Sequence, residues 1–316
     1  MSSQLQQDSH DLYLAPLDKT TIKQSLSKLI RPLVPKNCRR YHYRFCDLIP
    51  EPNLLGFRCD PQPFQGKVTL ITDTFMLVQE KGTKNHFVIV NKAYVDNLPE
   101  VGNQIEVIPY ARRHFNGKRI DEPEQETVTL DDGTQYVTTK MVLGGATTEL
   151  PLPISKEQIQ CPELLALIDQ LEQLPAPDGF RQISHLLVDA GAKEFTLNDP
   201  KASDITHSPP SISFVVSNTK FSGKVTIAYD RGADTYVIQV IPSAYPSTQL
   251  KPISTKDMVT TKAQVKESLM PNIPTSNTTE PMAMIEITNV YFDELGIRLA
   301  GLIDDGRWQG IQVKIL

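Results

Sequence analysis

The sequence predicts a mainly β chain, α+β overall, built as two small β-barrel-like domains joined by a helical spacer and preceded by a basic N-terminal helix. Three observations predict it. A run Phe64-Gln65-Gly66-Lys67-Val68-Thr69-Leu70, followed by Asp73-Thr74-Phe75, returns as Phe221-Ser222-Gly223-Lys224-Val225-Thr226-Ile227, followed by Asp234-Thr235-Tyr236, so one β unit is used twice. Short apolar runs recur between Gly, Asn, Asp and Pro, as strands do. The 24 Pro against 16 Gly in 316 residues favour stiff connections over long helices.

The elements follow in order. Residues 1–17 are polar and Gln-rich and read as a mobile tail. Residues 18–62 hold the basic helix and a connection: Asp18 caps the helix, Ile22, Leu26, Leu29 and Ile30 share one face, and Pro32 ends it. Residues 63–150 form the first barrel-like domain, with strands at Lys67–Ile71, Phe75–Val78, His86–Val90 and Gln104–Ile108. They end in a hairpin whose strands bracket Asp131-Asp132-Gly133. In the spacer, residues 151–195, Leu164, Leu167, Ile168 and Leu171 recur at helical spacing, and a second helix is expected over Phe180–Ala190. A second β unit occupies residues 196–250, with strands at Ser211–Val216, Lys224–Ala228 and Thr235–Ile241. Residues 251–283 are a Ser, Thr and Pro-rich linker with room for a short helix over 256–269. Residues 284–316 read as a closing β element around Asp304-Asp305-Gly306.

Charge is segregated along the chain. The formal net charge of −5 hides a run from Lys19 to Arg44 with eight bases and no acid. A second cluster, Arg112 to Arg119, adds four bases. Without those twelve, 20 bases face 37 acids, a balance of −17, so a local positive potential sits on an acidic body. No stretch approaches the roughly 18 to 20 apolar residues of a membrane span, and the polar start lacks the apolar centre of a secretion signal. The expectation is a cytoplasmic chain with no membrane partner. Cys38, Cys46, Cys59 and Cys161 are too few and too scattered for a disulfide framework.

The segment from Phe64 to about Ile120 resembles the KfrB-type domain of proteins encoded by plasmids and other mobile elements. The residues that carry the resemblance are Phe64-Gln65-Gly66-Lys67-Val68, Val78-Gln79, and Val101-Gly102-Asn103-Gln104-Ile105-Glu106-Val107 leading to Tyr110. They span roughly a fifth of the chain. The resemblance implies scaffold glycines and no catalytic set. This sequence departs from the family in a longer basic insertion, Ala111 to Lys118.

Two constellations point to a ligand. Arg39-Arg40-Tyr41-His42-Tyr43-Arg44-Phe45 interleaves guanidinium groups with aromatic rings, which suits phosphate neutralisation and stacking on unpaired bases. Arg112-Arg113-His114-Phe115-Asn116-Gly117-Lys118-Arg119 reads as a basic loop that extends the same surface. The residues expected to contact nucleic acid, single-stranded by the stacking argument, are Lys23, Lys28, Arg31, Arg39, Arg40, Tyr41, Tyr43, Arg44, Arg112, Arg113, Lys118 and Arg119. Each cluster has a plainer reading, as a solvated helix face with a strand packed on its own domain, or as a solubilising loop.

Other groups favour plain structural roles. Cys38, His42, Cys46 and Cys59 lack the CxxC pair that seeds a zinc site. Asp230 and Asp234 flank a turn, His185 sits in an apolar helix as a satisfied core residue, and Cys161 opens a helix. No phosphate loop, nucleophile elbow or dinucleotide fingerprint occurs, so neither an enzyme nor a cofactor or metal is expected. The leading expectation is a mobile-element accessory protein that binds nucleic acid. A protein adaptor, or an inhibitor of host defence proteins acting through its acidic surface, is the second, and a hydrolase using Asp230 and Asp234 is the third.

Overall fold

In the computed structural model, residues 16–140, 149–243 and 284–316 are described. The tail up to residue 15 and the linker with its expected helix lie outside them. In chain order the described elements are α1 (Lys19–Ile30), β1 (His42–Cys46), β2 (Phe64–Ile71), β3 (Phe75–Glu80), β4 (His86–Asn91), β5 (Gln104–Ile108), β6 (Glu124–Thr129) and β7 (Gln135–Lys140). Then come α2 (Pro162–Gln173), α3 (Ile183–Asp189), β8 (Lys193–Asn198), β9 (Ser211–Ser217), β10 (Ser222–Asp230), β11 (Thr235–Pro242), β12 (Ile285–Val290), α4 (Leu295–Ile303) and β13 (Gln312–Ile315).

The strands form a six-stranded sheet in the order β1-β4-β3-β2-β5-β13, a five-stranded sheet in the order β12-β11-β10-β9-β8, and the β6–β7 pair. The chain is mostly β, as its sequence predicts, but none of these sheets closes into a barrel. The repeated run supplies β2 and β10, each the first strand of an antiparallel hairpin, with β3 and β11 respectively. Its glycine is fixed by close approach: a Cβ on Gly66 would strike Gln79 O and Val78 Cγ1, and one on Gly223 would strike Ile241 O. Only a residue without a side chain lets the partner strand come so near.

The first sheet is covered on one face by α1. Asp18 caps this helix as expected, its carboxylate accepting from Thr21 N at 3.1 Å. Ile22, Leu26 and Ile30 pack on Phe75, Leu77, Phe87 and Ile89. Leu17, assigned to the tail by its polar neighbours, joins the same core, and its N–H donates to the buried Asp47 at 3.1 Å. The other face holds Val68, Met76, Val78, Val88, Val90, Ile105 and Val107, under Trp308 and Ile311.

Two further expectations are corrected. The helices of residues 151–195 are no spacer: α2 and α3 share one core with the second sheet, Leu164, Leu167, Ile168 and Leu171 joining Phe214, Val225, Ile227 and Ile238. A helix with an apolar stripe must bury it, and the inward residues of β9, β10 and β11 provide the nearest apolar surface. The closing β element contains a helix, α4, and its two strands enter different sheets, β12 beside β11 and β13 beside β5. Leu295, Ile297 and Leu299 alternate like a strand, whereas Leu295, Leu299 and Ile303 are the positions buried. Gly296 lets α4 approach closely, since a Cβ there would lie 2.7 Å from Pro175 O. Because β13 completes the first sheet, the second unit is an insertion between β5 and β13.

Candidate nucleic-acid interface

Among the described strands β1 lies at the edge of the first sheet, paired in parallel with β4 alone. Alternation along a strand sends odd and even residues to opposite faces, and here it aligns Tyr41, Tyr43 and Phe45 on the α1 side. Their rings form a row, with centroids 6.4 Å apart for Tyr41–Tyr43 and 6.0 Å for Tyr43–Phe45. Phe45 is the inner end, partly buried against the α1 core, and Tyr43 is 40% exposed. Lys19 and Lys23, one helical turn apart on α1, bring their ammonium groups to 5.6 and 5.5 Å from the Phe45 ring centre. That is within cation–π range. Lys36, Arg39 and Arg40 are exposed on the connection that leads into the row. Arg31 ties the helix end to this connection through Nη1 to Cys38 O at 3.0 Å.

Of the expected contacts, Lys23, Tyr41 and Tyr43 lie on the α1 side of β1, while Arg31, Arg39 and Arg40 are exposed at the helix end and on the connection. The structure adds Lys19 and Phe45, which the expected contacts leave out although the Lys19/Lys23 helical spacing and the 41/43/45 alternation both mark them. Lys19 also reaches Glu51 at 3.4 Å. Lys28 is exposed but, five residues along α1 from Lys23, stands about 140° round the helix on the other flank. Arg44 points through the opposite face of β1, stacked 4.6 Å from the Phe64 ring centre and paired with Glu80 at 2.6 Å.

The basic loop does not extend this surface. Four inter-strand steps separate β1 from β5, about 19 Å. Arg112 is 3% exposed and neutralised by Asp60, its Nε donating at 3.1 and 3.2 Å, with Phe180 4.4 Å beneath it. Arg119 grips Asp121 through two bonds of 2.8 Å. Buried or paired, neither guanidinium is available to a phosphate. Arg113 and Lys118 remain exposed, while Phe115 between them packs on the second unit, 5.4 Å from Phe195. The loop is a clasp between units. Sequence shows its charge but not Asp60, the distant acid that neutralises it.

The clasp continues into a buried ionic cluster. Arg181 donates to Asp178 at 3.0 Å, to Asp189 at 2.7 Å and to Asp304 at 2.6 Å, and its guanidinium lies 3.7 Å from the Trp308 ring centre. Burial alone would ease its proton away, but the charges of Asp189, Asp178 and Asp304 hold Arg181 more firmly protonated than usual. Tyr110 donates its OH to Asp189 at 2.8 Å, and Trp308 Nε1 donates to Asp304 at 3.2 Å. Burial outweighs even Arg181 at Asp189, whose carboxyl is pushed up to about 6. Beside them His185, 1% exposed, accepts from Gln182 N at Nδ1 while Nε2 finds no partner among the described residues. It is buried as expected but half satisfied. Desolvation first, then the charges of Arg112, Arg181 and His114, depress it to about 3, so it stays neutral.

The remaining candidates fall into structural roles. Asp230 accepts from Gly232 N at 2.8 Å, and Asp234, in the left-handed region at φ 53°, accepts from Tyr229 OH at 2.7 Å. Both are turn contacts. Cys46 lies in the core, where burial pushes its thiol up to about 12. His42 is four residues away on the same strand, about 13 Å, beyond any shared metal ion. Among the described residues no group of three or more His, Cys, Asp or Glu is placed to hold a metal, and no helix is long and apolar enough to cross a membrane. Comparison of the chain with protein-family models, with curated proteins and with solved structures finds no match.

Proposed function

We propose that this chain binds nucleic acid, in single-stranded form, through the α1–β1 face, in a binding rather than a catalytic role. One observation carries the reading: an edge strand presents Tyr41, Tyr43 and Phe45 in a row, with Lys19 and Lys23 beside it and the exposed Lys36, Arg39 and Arg40 at its entrance. Rings stack on bases of any identity, and the cations neutralise phosphates, so the contact tolerates sequence and prefers strands whose bases are unpaired. Tyr41 and Phe45 also pack on the α1 core, so Tyr43, the exposed ring, is the one free to stack on an unpaired base. The resemblance of residues 64–120 to the KfrB-type domain fits an accessory role on a mobile element, in the cytoplasm of its host.

Fluorescence anisotropy with labelled oligonucleotides at rising salt tests this. The expected slope of log affinity against log salt is about −0.7 for each phosphate neutralised, shallower after Arg39→Glu and Arg40→Glu, with single strands bound more tightly than duplex. Binding that is absent, or indifferent to salt and to both substitutions, overturns the reading.

A second reading, an adaptor or an inhibitor of host defence proteins, is favoured by the β6–β7 hairpin, which is acidic and exposed. Capture of a protein partner from nuclease-treated lysate, abolished by neutralising the hairpin, would favour it.

A further inference from the structure

We propose that the β6–β7 hairpin is an acidic arm that docks on the α1–β1 face of a second copy of this chain, so that self-association competes with nucleic acid. For what is displaced, this rests on the nucleic-acid reading above. From Glu122 to Thr139 the sequence holds five acids and no base. Among the described strands the two pair only with each other, and a two-stranded ribbon by itself is barely stable in water. Its register sets Val128 opposite Tyr136, yet Leu130, Tyr136 and Val137 are 47%, 44% and 60% exposed. Apolar and anionic groups thus stand together on an arm that no other described strand pairs with.

The α1–β1 face is the complement in both respects. Lys23, Arg39 and Arg40 supply the opposite charge, and Tyr41 and Tyr43 supply rings for the arm's apolar residues. Because each copy carries one arm and one face, reciprocal docking about a two-fold axis satisfies both and closes as a dimer. Phosphates and arm carboxylates need the same cations, so only one can occupy them.

Sedimentation velocity of the full chain from low to high salt, with and without a single-stranded oligonucleotide, tests the proposal. The expected result is a dimer that salt and the oligonucleotide each dissociate. The triple variant Glu126→Gln, Asp131→Asn, Asp132→Asn is expected to be monomeric and to bind the oligonucleotide severalfold more tightly. Since a hairpin variant could misfold, a charge swap provides the control: Arg39→Glu with Arg40→Glu loses the dimer, and adding Glu126→Lys, Asp131→Lys and Asp132→Lys restores it. A chain monomeric at every salt concentration assigns the arm to some other partner and overturns the proposal, as does a dimer unchanged in the triple variant. A dimer lost in the triple variant, when neither form binds oligonucleotide, keeps the arm-on-face contact and overturns the nucleic-acid reading alone.

Discussion

The two β units match strand for strand over five positions. β4-β3-β2-β5-β13 in the first corresponds to β12-β11-β10-β9-β8 in the second, with the repeated run third in each. Their connections differ, since β9 precedes β10 whereas β5, in the same place, follows β4. What the repeat preserves is a packing position, a glycine jammed against its hairpin partner, rather than a path for the chain. Beyond the match the units part: the first gains β1 outside β4, while the second leaves β12 as its edge. The proposed interface lies on the one described strand of these two sheets without a counterpart.

The largest effect is expected where the units meet. Arg181→Met would leave Asp178, Asp189 and Asp304 buried without their cation. Removing one partner of a buried pair costs about 3–5 kcal/mol, and with three acids orphaned the upper end of that range is expected in denaturant unfolding. A small loss would mean that the units hold together without the cluster. Next come the matched glycines. Gly66→Ala and Gly223→Ala each force a Cβ into backbone of the partner strand, at about 2–3 kcal/mol by the scale of overpacking. Equal losses sharpen the equivalence of the two units, and a loss at one position only breaks it.

Much of this is legible in the chain. Strands β2 to β5 and β9 to β11, the cap at Asp18, the stripe of α2 and the Asp131-Asp132-Gly133 hairpin follow from local periodicity and turn chemistry, which are written over a few neighbouring residues. What escapes depends on partners far along the chain. The aromatic run at Tyr41 to Phe45 does not reveal that it pairs with β4, nor does Gln312–Ile315 reveal that it returns to β5. Arg112 and Arg119 look like free cations until Asp60 and Asp121 are placed beside them. α4 reads as a strand because two glycines and an alternating start resemble one, and only the surface that buries Leu295, Leu299 and Ile303 decides. For the interface, composition supplies the charges and rings, and the fold selects which of them share a face.

The junction also makes a pH prediction, since two of its groups act in opposite senses. His185 is held neutral, with its folded pKa depressed to about 3. Its contribution to stability is therefore present above about 6.5 and lost as pH falls through that interval. Asp189 is raised to about 6, so its contribution is present in acid and lost as pH rises from about 4 to 6. The interval over which the histidine titrates, from about 6.5 down to 3, is the wider of the two. Net destabilisation is expected on acidification from pH 6.5 toward 3. His185→Asn keeps an acceptor for Gln182 N and removes the titration. Its unfolding midpoint should stop falling in that window and rise instead, as Asp189 alone would dictate. A midpoint that falls as in the parent chain would place the acid sensitivity elsewhere.

The smallest effect bears most directly on the role of β1. Cations beside an edge strand have a use apart from any ligand, because charge keeps one sheet from pairing with another. Arg39 and Arg40 alone would thus not separate a binding edge from a protected one. Tyr43 does, since an exposed aromatic on an edge strand invites association unless something stacks there. Tyr43→Ala removes this ring. Loss of one stacked base should weaken oligonucleotide binding by about 1 kcal/mol, roughly fivefold, and leave the salt slope unchanged because no phosphate contact is lost. The matched change on the second unit's edge, Ile285→Ala at a position 50% exposed, should leave affinity as it was. If both substitutions are silent while charge reversal at Arg39 and Arg40 still weakens binding, phosphate contact alone accounts for the affinity and the preference for single strands has no basis in this edge.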